Sequence, residues 1–321
     1  MINSKIAVGI DIGGTNTDLG IVNEEGKVLA KTSFSTQVSD NFEEYIKVLS
    51  DNIKSLLKAN DLEGKILGVG VGAPNANFYK GTIEHAPNLL WKGVLHFSKM
   101  LSQEVGYKVV LTNDANAAAI GEKVYGGGKY MQHFALVTLG TGLGSGIVID
   151  GKLLYGSDGF AGELGHTIVV KEDGRQCGCG RKGCLETIAS ASGIVTTIKQ
   201  LLESEKTASV FRNVSVDEIK SIDIFEAANK GDELALKAFD ITADYLGFSL
   251  TNLIAITSPE AIFLSGGLAH AGDLLFKPLQ QYYDKYVLPL FKGKTVILPS
   301  QLPDGNTGLM GAAALALSEL S

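Results

Sequence analysis

The chain is poor in cysteine, in clustered basic charge and in long apolar runs, and each shortage excludes something. Its 321 residues hold three cysteines, all within Cys177-Gly-Cys179-Gly-Arg-Lys-Gly-Cys184, an odd number that cannot pair into a disulfide framework. No Lys/Arg cluster interrupts a net charge of −7, which argues against a nucleic-acid surface. No apolar run approaches the ~18 residues of a membrane span, and Asp11 breaks the N-terminal run early, so neither a membrane helix nor a signal peptide is expected. Free thiols without an export signal fit a reducing cytoplasm, the expected location. No low-complexity linker marks a domain boundary. The composition, 45% hydrophobic and 20% charged, is that of an ordinary soluble globular protein, with a length for two domains or one large α/β unit.

The three thiols stand just downstream of His166, the end of a Glu163-Leu-Gly-His run. Three thiolates and one imidazole complete a tetrahedral Cys₃His zinc set with no open position, so the expected ion is structural rather than catalytic. Gly178, Gly180 and Gly183 let the backbone wrap closely around an ion. The competing readings are a redox pair with a spare thiol, or a disulfide; a Cys-x-Cys pair is cramped for such a bridge. Glu163 and Glu186 flank the loop, so a metal would fix polar groups in irregular backbone.

The 39 glycines gather in short runs that end apolar strands. Residues 5–15 read as a buried strand closing on Asp11-Ile-Gly13-Gly14-Thr15, followed by strands at 18–22 and 28–29. A similar passage runs from Phe134 to Gly142: a shift of 126 residues places Gly14 on Gly140, Thr15 on Thr141 and Gly20 on Gly146. Two hairpins of one plan imply two related domains facing each other. Apolar spacing predicts helices over 42–58, 116–124, 190–202, 223–230, 233–256 and 309–320, and strands over 66–71, 109–111 and 261–264. The polar stretch 203–217 reads as a surface loop. Strands alternating with helices make an α/β fold.

Asp11 is a carboxylate at a strand end that can hold Mg²⁺ directly or through water. The N–H groups of the turn at Gly13, Gly14 and Thr15 can hold phosphate oxygens. Gly140, Thr141 and Gly142 repeat the arrangement, and a facing pair of such turns suits the phosphates of a nucleotide. Gly266-Gly267 either admits an adenine or ribose or serves tight packing. Asn113-Asp114, between a strand and a helix, also carries two readings. One is a helix N-cap; the other is a general base, with Asn113 positioning the same hydroxyl. A helix N-terminus favours the ionised carboxylate, and even that weak base suffices for a loose phosphoryl-transfer transition state. The triplet Gly293-Lys-Thr295 is no P-loop, because position 288 is leucine rather than glycine.

These motifs occur in the order found in the ROK family (repressors, open reading frames and sugar kinases). They are Asp11-x-Gly-Gly-Thr15, Asn113-Asp114-x-Asn116-x-Ala118, Leu139-Gly-Thr-Gly142, Glu163-x-Gly-His166, Cys177-x-Cys-Gly-x-x-Gly-Cys184 and Ser265-Gly-Gly267. Over nearly its whole length the chain resembles the bacterial glucokinases of that family. The resemblance implies a two-domain actin/hexokinase-like (ribonuclease H-like) ATPase fold with a structural zinc loop. A smaller domain, 1–115 plus 309–321, would carry the phosphate turn and catalytic aspartate. A larger one, 116–308, would carry the zinc loop and nucleotide-binding turns.

The implied activity is ATP-dependent phosphorylation of a hexose at its 6-hydroxyl, glucose to glucose 6-phosphate. Asp114 would activate that hydroxyl, while Asn88, Asn113, Glu163, His166 and Glu186 hydrogen-bond the others. MgATP would lie along Asp11, Gly13, Gly14, Thr15, Gly140, Thr141 and Gly142, with its base near Gly266 and Gly267. His166, Cys177, Cys179 and Cys184 would hold zinc, and zinc loss would weaken sugar binding more than nucleotide binding. A homo-oligomer, dimer or tetramer, is implied; nucleic acid and membrane are not. One stretch departs from the family pattern: Gly72-Ala-Pro-Asn75-Ala-Asn77-Phe-Tyr79 stands where Gly-x-Pro-Gly and a Val-Asp are usual. N-acetylmannosamine, N-acetylglucosamine, fructose and allose are therefore the alternative sugars. A sugar-sensing repressor is the other class, but such members carry a helix-turn-helix ahead of the first strand, which here begins near residue 5.

Overall fold

A computed structural model describes residues 4–303 and 305–321. In chain order the first elements are β1 (Ile6–Ile12), β2 (Asn16–Asn23), β3 (Val28–Ser35), α1 (Phe42–Ala59), β4 (Val69–Gly72), β5 (Ala76–Asn77), β6 (Thr82–Glu84), β7 (Val94–Leu95), α2 (Phe97–Val105), β8 (Val109–Thr112) and α3 (Asp114–Tyr125). There follow β9 (Phe134–Leu139), β10 (Leu143–Ile149), β11 (Lys152–Leu153), α4 (Ala191–Ser204), α5 (Ser221–Asn229), α6 (Glu233–Thr257), β12 (Ala261–Ser265), α7 (Asp273–Tyr286), β13 (Val296–Pro299) and α8 (Thr307–Glu319). By internal packing the chain forms two units, Met1–Gln132 with Gly146–Gly162 and Ser300–Ser321, and His133–Ser145 with Glu163–Pro299. Beside the expected 1–115 plus 309–321, this first unit also takes in 116–132, 146–162 and 300–308.

The first unit is built on a sheet of order β3-β2-β1-β4-β8, in which β1, β4 and β8 run parallel. Alternation along a strand sends successive side chains to opposite faces. Val8, Ile10 and Ile12 of β1, with Val69 and Val71 of β4, join one apolar core with the buried stripe Tyr45, Ile46, Leu49 and Ile53 of α1. The other face carries Gly9 and Gly70, and α8 lies directly on them. A Cβ on Gly9 would collide with the Leu309 carbonyl, and one on Gly70 with the Ala312 carbonyl. Helix α3 approaches α8 just as closely, since the position of a Gly121 Cβ is 3.0 Å from the Gly311 Cα. That contact places α3 in this unit. A small sheet, β5-β6-β7, completes it.

The second unit centres on a sheet of order β11-β10-β9-β12-β13, with the division between units running through β10. β12 lies parallel to both β9 and β13. The predicted helices are present within a few residues, whereas the strand expected over 66–71 begins at Val69. The polar 203–217 stretch contains a 3₁₀ turn at Val210–Asn213. Helix α7 was not foreshadowed, as Pro278 interrupts its pattern from inside. Among the described residues no helix is long and apolar enough to cross a membrane.

Gly70→Val is predicted to lower the unfolding free energy by about 3 kcal/mol or more, because the side chain must displace helix backbone. Gly178→Ala, whose Cβ meets nothing within 4 Å, is expected to be near neutral. Denaturant midpoints of the two variants against wild type decide the matter.

Candidate active site and metal centre

In the first unit the carboxyl ends of three parallel strands are aligned. Asp11 is level with Gly72, and Gly72 with Thr112, so the residue pair after β8, Asn113-Asp114, begins α3 at the same edge as Asp11. Ligands of open α/β sheets gather at such strand ends. The N-cap is Asn113, whose Oδ1 accepts the Asn116 N–H at 3.1 Å. Asp114 is the first helical residue, and its Oδ1 accepts the Ala115 N–H at 2.8 Å. The cap and the free acid are thus two neighbouring residues rather than two readings of one.

Asp114 keeps solvent access, yet surrounding protein removes enough water to raise its pKa, only partly offset by backbone N–H groups. This reverses the expectation from the helix N-terminus, because desolvation outweighs the dipole. Burial pushes the Asp11 carboxyl up to about 7, with further pressure from the charges of Asp114 and Asp18. Asp11 also abuts the first turn of α8, where a Cβ on Gly308 would collide with its carboxylate. Gly308 was missed in the sequence, since only the fold brings it there.

The turn after β1 has its carbonyls engaged by the segment that follows β3. Thr15 O accepts the Thr36 N–H at 2.8 Å and Gly14 O accepts Gln37 Nε2 at 3.3 Å, while Gly13 N–H donates to Asn16 O at 2.9 Å. Asn88 is exposed, and its carbonyl oxygen lies 2.9 Å from where a Gly14 Cβ would stand. The Lys92 ammonium fixes the loop around it by donating to the carbonyls of Ala86, Pro87 and Leu89 at 3.2, 3.1 and 2.7 Å. In the departing stretch Asn75 adopts φ +52°, a region natural to glycine and tolerated by asparagine. Its Nδ2 donates to Glu84 O at 3.0 Å. Asn77 is buried on Asp158 O at 2.8 Å, and Phe78 stacks on Tyr155 with centroids 4.2 Å apart.

In the second unit His166, Cys177, Cys179 and Cys184 come together, their ligand atoms all within 4.8 Å of one another. The Cys179 and Cys184 sulfurs are 3.7 Å apart, as are Cys177 Sγ and His166 Nδ1. A tetrahedral zinc with Zn–S of about 2.3 Å has ligand edges of roughly 3.8 Å, so the set fits the ion. A disulfide would need about 2.05 Å. In the metal-free loop burial pushes the Cys177 thiol up to about 12. Burial also pushes Cys179 up, but hydrogen bonds from Arg181, Cys177 and Cys184 together bring that thiol down to about 6. A cation must therefore displace a proton from Cys177 in order to bind.

With Nδ1 turned to the cysteines, His166 Nε2 faces Glu163 Oε2 at 3.9 Å. Arg175, unremarked in the sequence, straps the loop to α4 through Thr187 O at 2.6 Å, Gly193 O at 3.1 Å and Thr197 Oγ1 at 2.9 Å. Glu186 Oε2 accepts the Leu143 N–H at 3.0 Å, beside the turn of Gly140, Thr141 and Gly142. Gly266, at φ +90° after β12, is explained by packing, since a Cβ would lie 2.6 Å from Leu139 O. Gly267 opens onto empty space.

Comparison with known proteins places this geometry. The ROK family model matches residues 7–319. The glucokinase of Thermotoga maritima is 36% identical over 311 residues, 96% of each chain. A ROK family glucokinase from Streptomyces griseus, solved in complex with glucose and AMPPNP, is 35% identical with a TM-score of 0.81, covering 98% of this chain and 99% of that one. The xylose repressor of Caldicellulosiruptor bescii is 31% identical, over 98% of this chain and 78% of its own. The fold is that of the actin/hexokinase-like sugar kinases. With the match running through both units, the chain belongs to the ROK family.

Proposed function

We propose that this chain is a hexokinase-type kinase that transfers the γ-phosphoryl group of ATP to the 6-hydroxyl of glucose. The observation that carries the reading is Asp114, a carboxylate of raised proton affinity at the start of α3, level with Asp11. The likeness to a glucokinase solved with glucose and AMPPNP supplies the substrates.

Asp114 takes the 6-hydroxyl proton as the sugar oxygen bonds to the γ-phosphorus and the bond to the β,γ-bridging oxygen breaks, releasing ADP. A raised pKa improves the match between this base and neutral pH. Asn113 holds the same hydroxyl, and Asn88, Glu163, His166 and Glu186 bond the others. Gly14 and Thr15, in the turn that the Gly13 N–H closes on Asn16 O, and Gly140, Thr141 and Gly142 present N–H groups to the phosphates, and open space at Gly267 receives the nucleoside. Mg²⁺, held by Asp11 directly or through water, would neutralise phosphate charge. Zinc on His166, Cys177, Cys179 and Cys184 would supply no chemistry beyond fixing the loop. A homo-oligomer belongs to the proposal on the family resemblance alone.

A second reading, a sugar-responsive regulator without turnover, has the xylose repressor likeness behind it. Turnover separates the two. With MgATP, the wild type is expected to form ADP in a glucose-dependent manner, and Asp114→Asn to lower kcat about 10²–10⁴-fold with zinc content unchanged. Near-wild-type turnover in that variant would remove Asp114 from the base role. Across glucose, N-acetylmannosamine, N-acetylglucosamine, fructose and allose, kcat/KM is expected to be highest for glucose; another sugar at the top would reassign the substrate.

Asp11 gives a pH test. Its folded pKa of about 7 exceeds the unfolded value of 3.8, so between those limits the folded state binds more protons. Stability therefore falls as pH rises through that window and levels off above it. Asp11→Asn should be more stable than wild type at pH 8, by on the order of 1–4 kcal/mol, and no more stable near pH 4. Unfolding titrations without nucleotide or Mg²⁺ measure this, and equal stabilities at pH 8 would contradict it.

A further inference from the structure

The glycine turn at 140–143 is gripped by Glu186 beside the metal loop and by the first residues of α4. Glu186, two positions after Cys184, accepts the Leu143 N–H through Oε2 at 3.0 Å. That same oxygen fills the place of a Gly142 Cβ. Further on, Ala191 N–H donates to Gly140 O at 2.9 Å and Ser192 Oγ to Thr141 O at 2.7 Å. From the other side Gly165, beside His166, packs so closely on Leu143 O that a Cβ would collide. The second Glu186 oxygen faces Cys177 Sγ at 3.6 Å. A cavity of about 160 Å³ lined by Glu186, Cys177, Ser192 and Arg175 adjoins the carboxylate.

We propose that Glu186 is a positioning residue for the nucleotide turn, and that the metal loop thereby sets nucleotide affinity as well as the orientation of His166. The inference rests on the reading that Gly140, Thr141 and Gly142 contact the phosphates. Phosphate recognition by backbone N–H groups needs those groups held in one geometry. Glu186 supplies an acceptor that fixes Leu143, while Ala191 and Ser192 fix the two carbonyls before it. Loss of this grip acts on nucleotide binding even when no sugar is present, which a purely sugar-binding Glu186 would not do.

The test is calorimetric binding of Mg²⁺-AMPPNP to the zinc-loaded full chain without sugar, beside glucose binding without nucleotide and metal analysis. Glu186→Ala is expected to weaken Mg²⁺-AMPPNP about tenfold or more with zinc retained, the scale of losing one charge-assisted hydrogen bond. Glu186→Gln keeps an acceptor for Leu143 N–H and should recover most of that loss. Ser192→Ala gives the same readout should Glu186→Ala not fold. Gly140→Val controls the underlying reading, since its side chain enters open space and would obstruct a phosphate. If Gly140→Val leaves Mg²⁺-AMPPNP binding intact, the turn is not the phosphate site and the inference goes with it. If Gly140→Val abolishes binding while Glu186→Ala lowers glucose affinity alone, only the positioning role is overturned.

Discussion

Helix α8 rests on β1 and β4 by its backbone rather than by its side chains, because Gly9 and Gly70 leave no Cβ to hold it off. That close seating brings the first turn of α8 to the end of β1, where Gly308 meets the Asp11 carboxylate. Helix α3 is drawn in by the same means at Gly121 and Gly311, and its first residue is Asp114. The register of β1, β4 and β8 sets the two acids at one edge, and the glycines let α8 and α3 pack closely behind them. Bulk at Gly9 or Gly70 would meet the backbone of α8, whereas bulk at Gly308 would meet the Asp11 carboxylate itself.

Such nearness has an electrostatic cost. The charge of Asp114 raises the proton affinity of Asp11, and surrounding protein strips water from both carboxylates although Asp114 keeps solvent access. A helix N-terminus normally lowers the pKa of an adjoining carboxylate, but the loss of water is the larger effect here. Functional sites often store instability of this kind. In the second unit the comparable burden falls on three neighbouring thiols, which differ widely in acidity until a cation binds them together.

Much of this was legible in the sequence where chemistry and spacing are local. The helix α1 stripe, the strand-end glycine turns and the four clustered metal ligands are patterns within short windows. What was not legible depends on residues distant in the chain. Gly308 means nothing until α8 is laid against Asp11, and Arg175 finds its partners only after the loop folds onto α4. Asn75 was legible only as a departure from the family pattern. Its positive φ, set by the folded loop, puts an asparagine in a conformation natural to glycine. Two-residue strands such as β5 and β7 are too short for any periodicity to reveal. Without a change in composition, nothing marked where the chain passes between units.

The seating of α8 also bears on the order in which the molecule assembles. The first unit opens with β1 but is completed by α8, which follows every other helix and strand in the chain. During synthesis the glycine-lined face of its sheet must wait, uncovered, while all of the second unit is made. Early strands with no helix to cover them are targets for wrong pairing and for chaperones. The second unit draws on no segment beyond Pro299 and is free to fold first. The edge that carries Asp11 and Asp114 is therefore among the last parts of the protein to take shape.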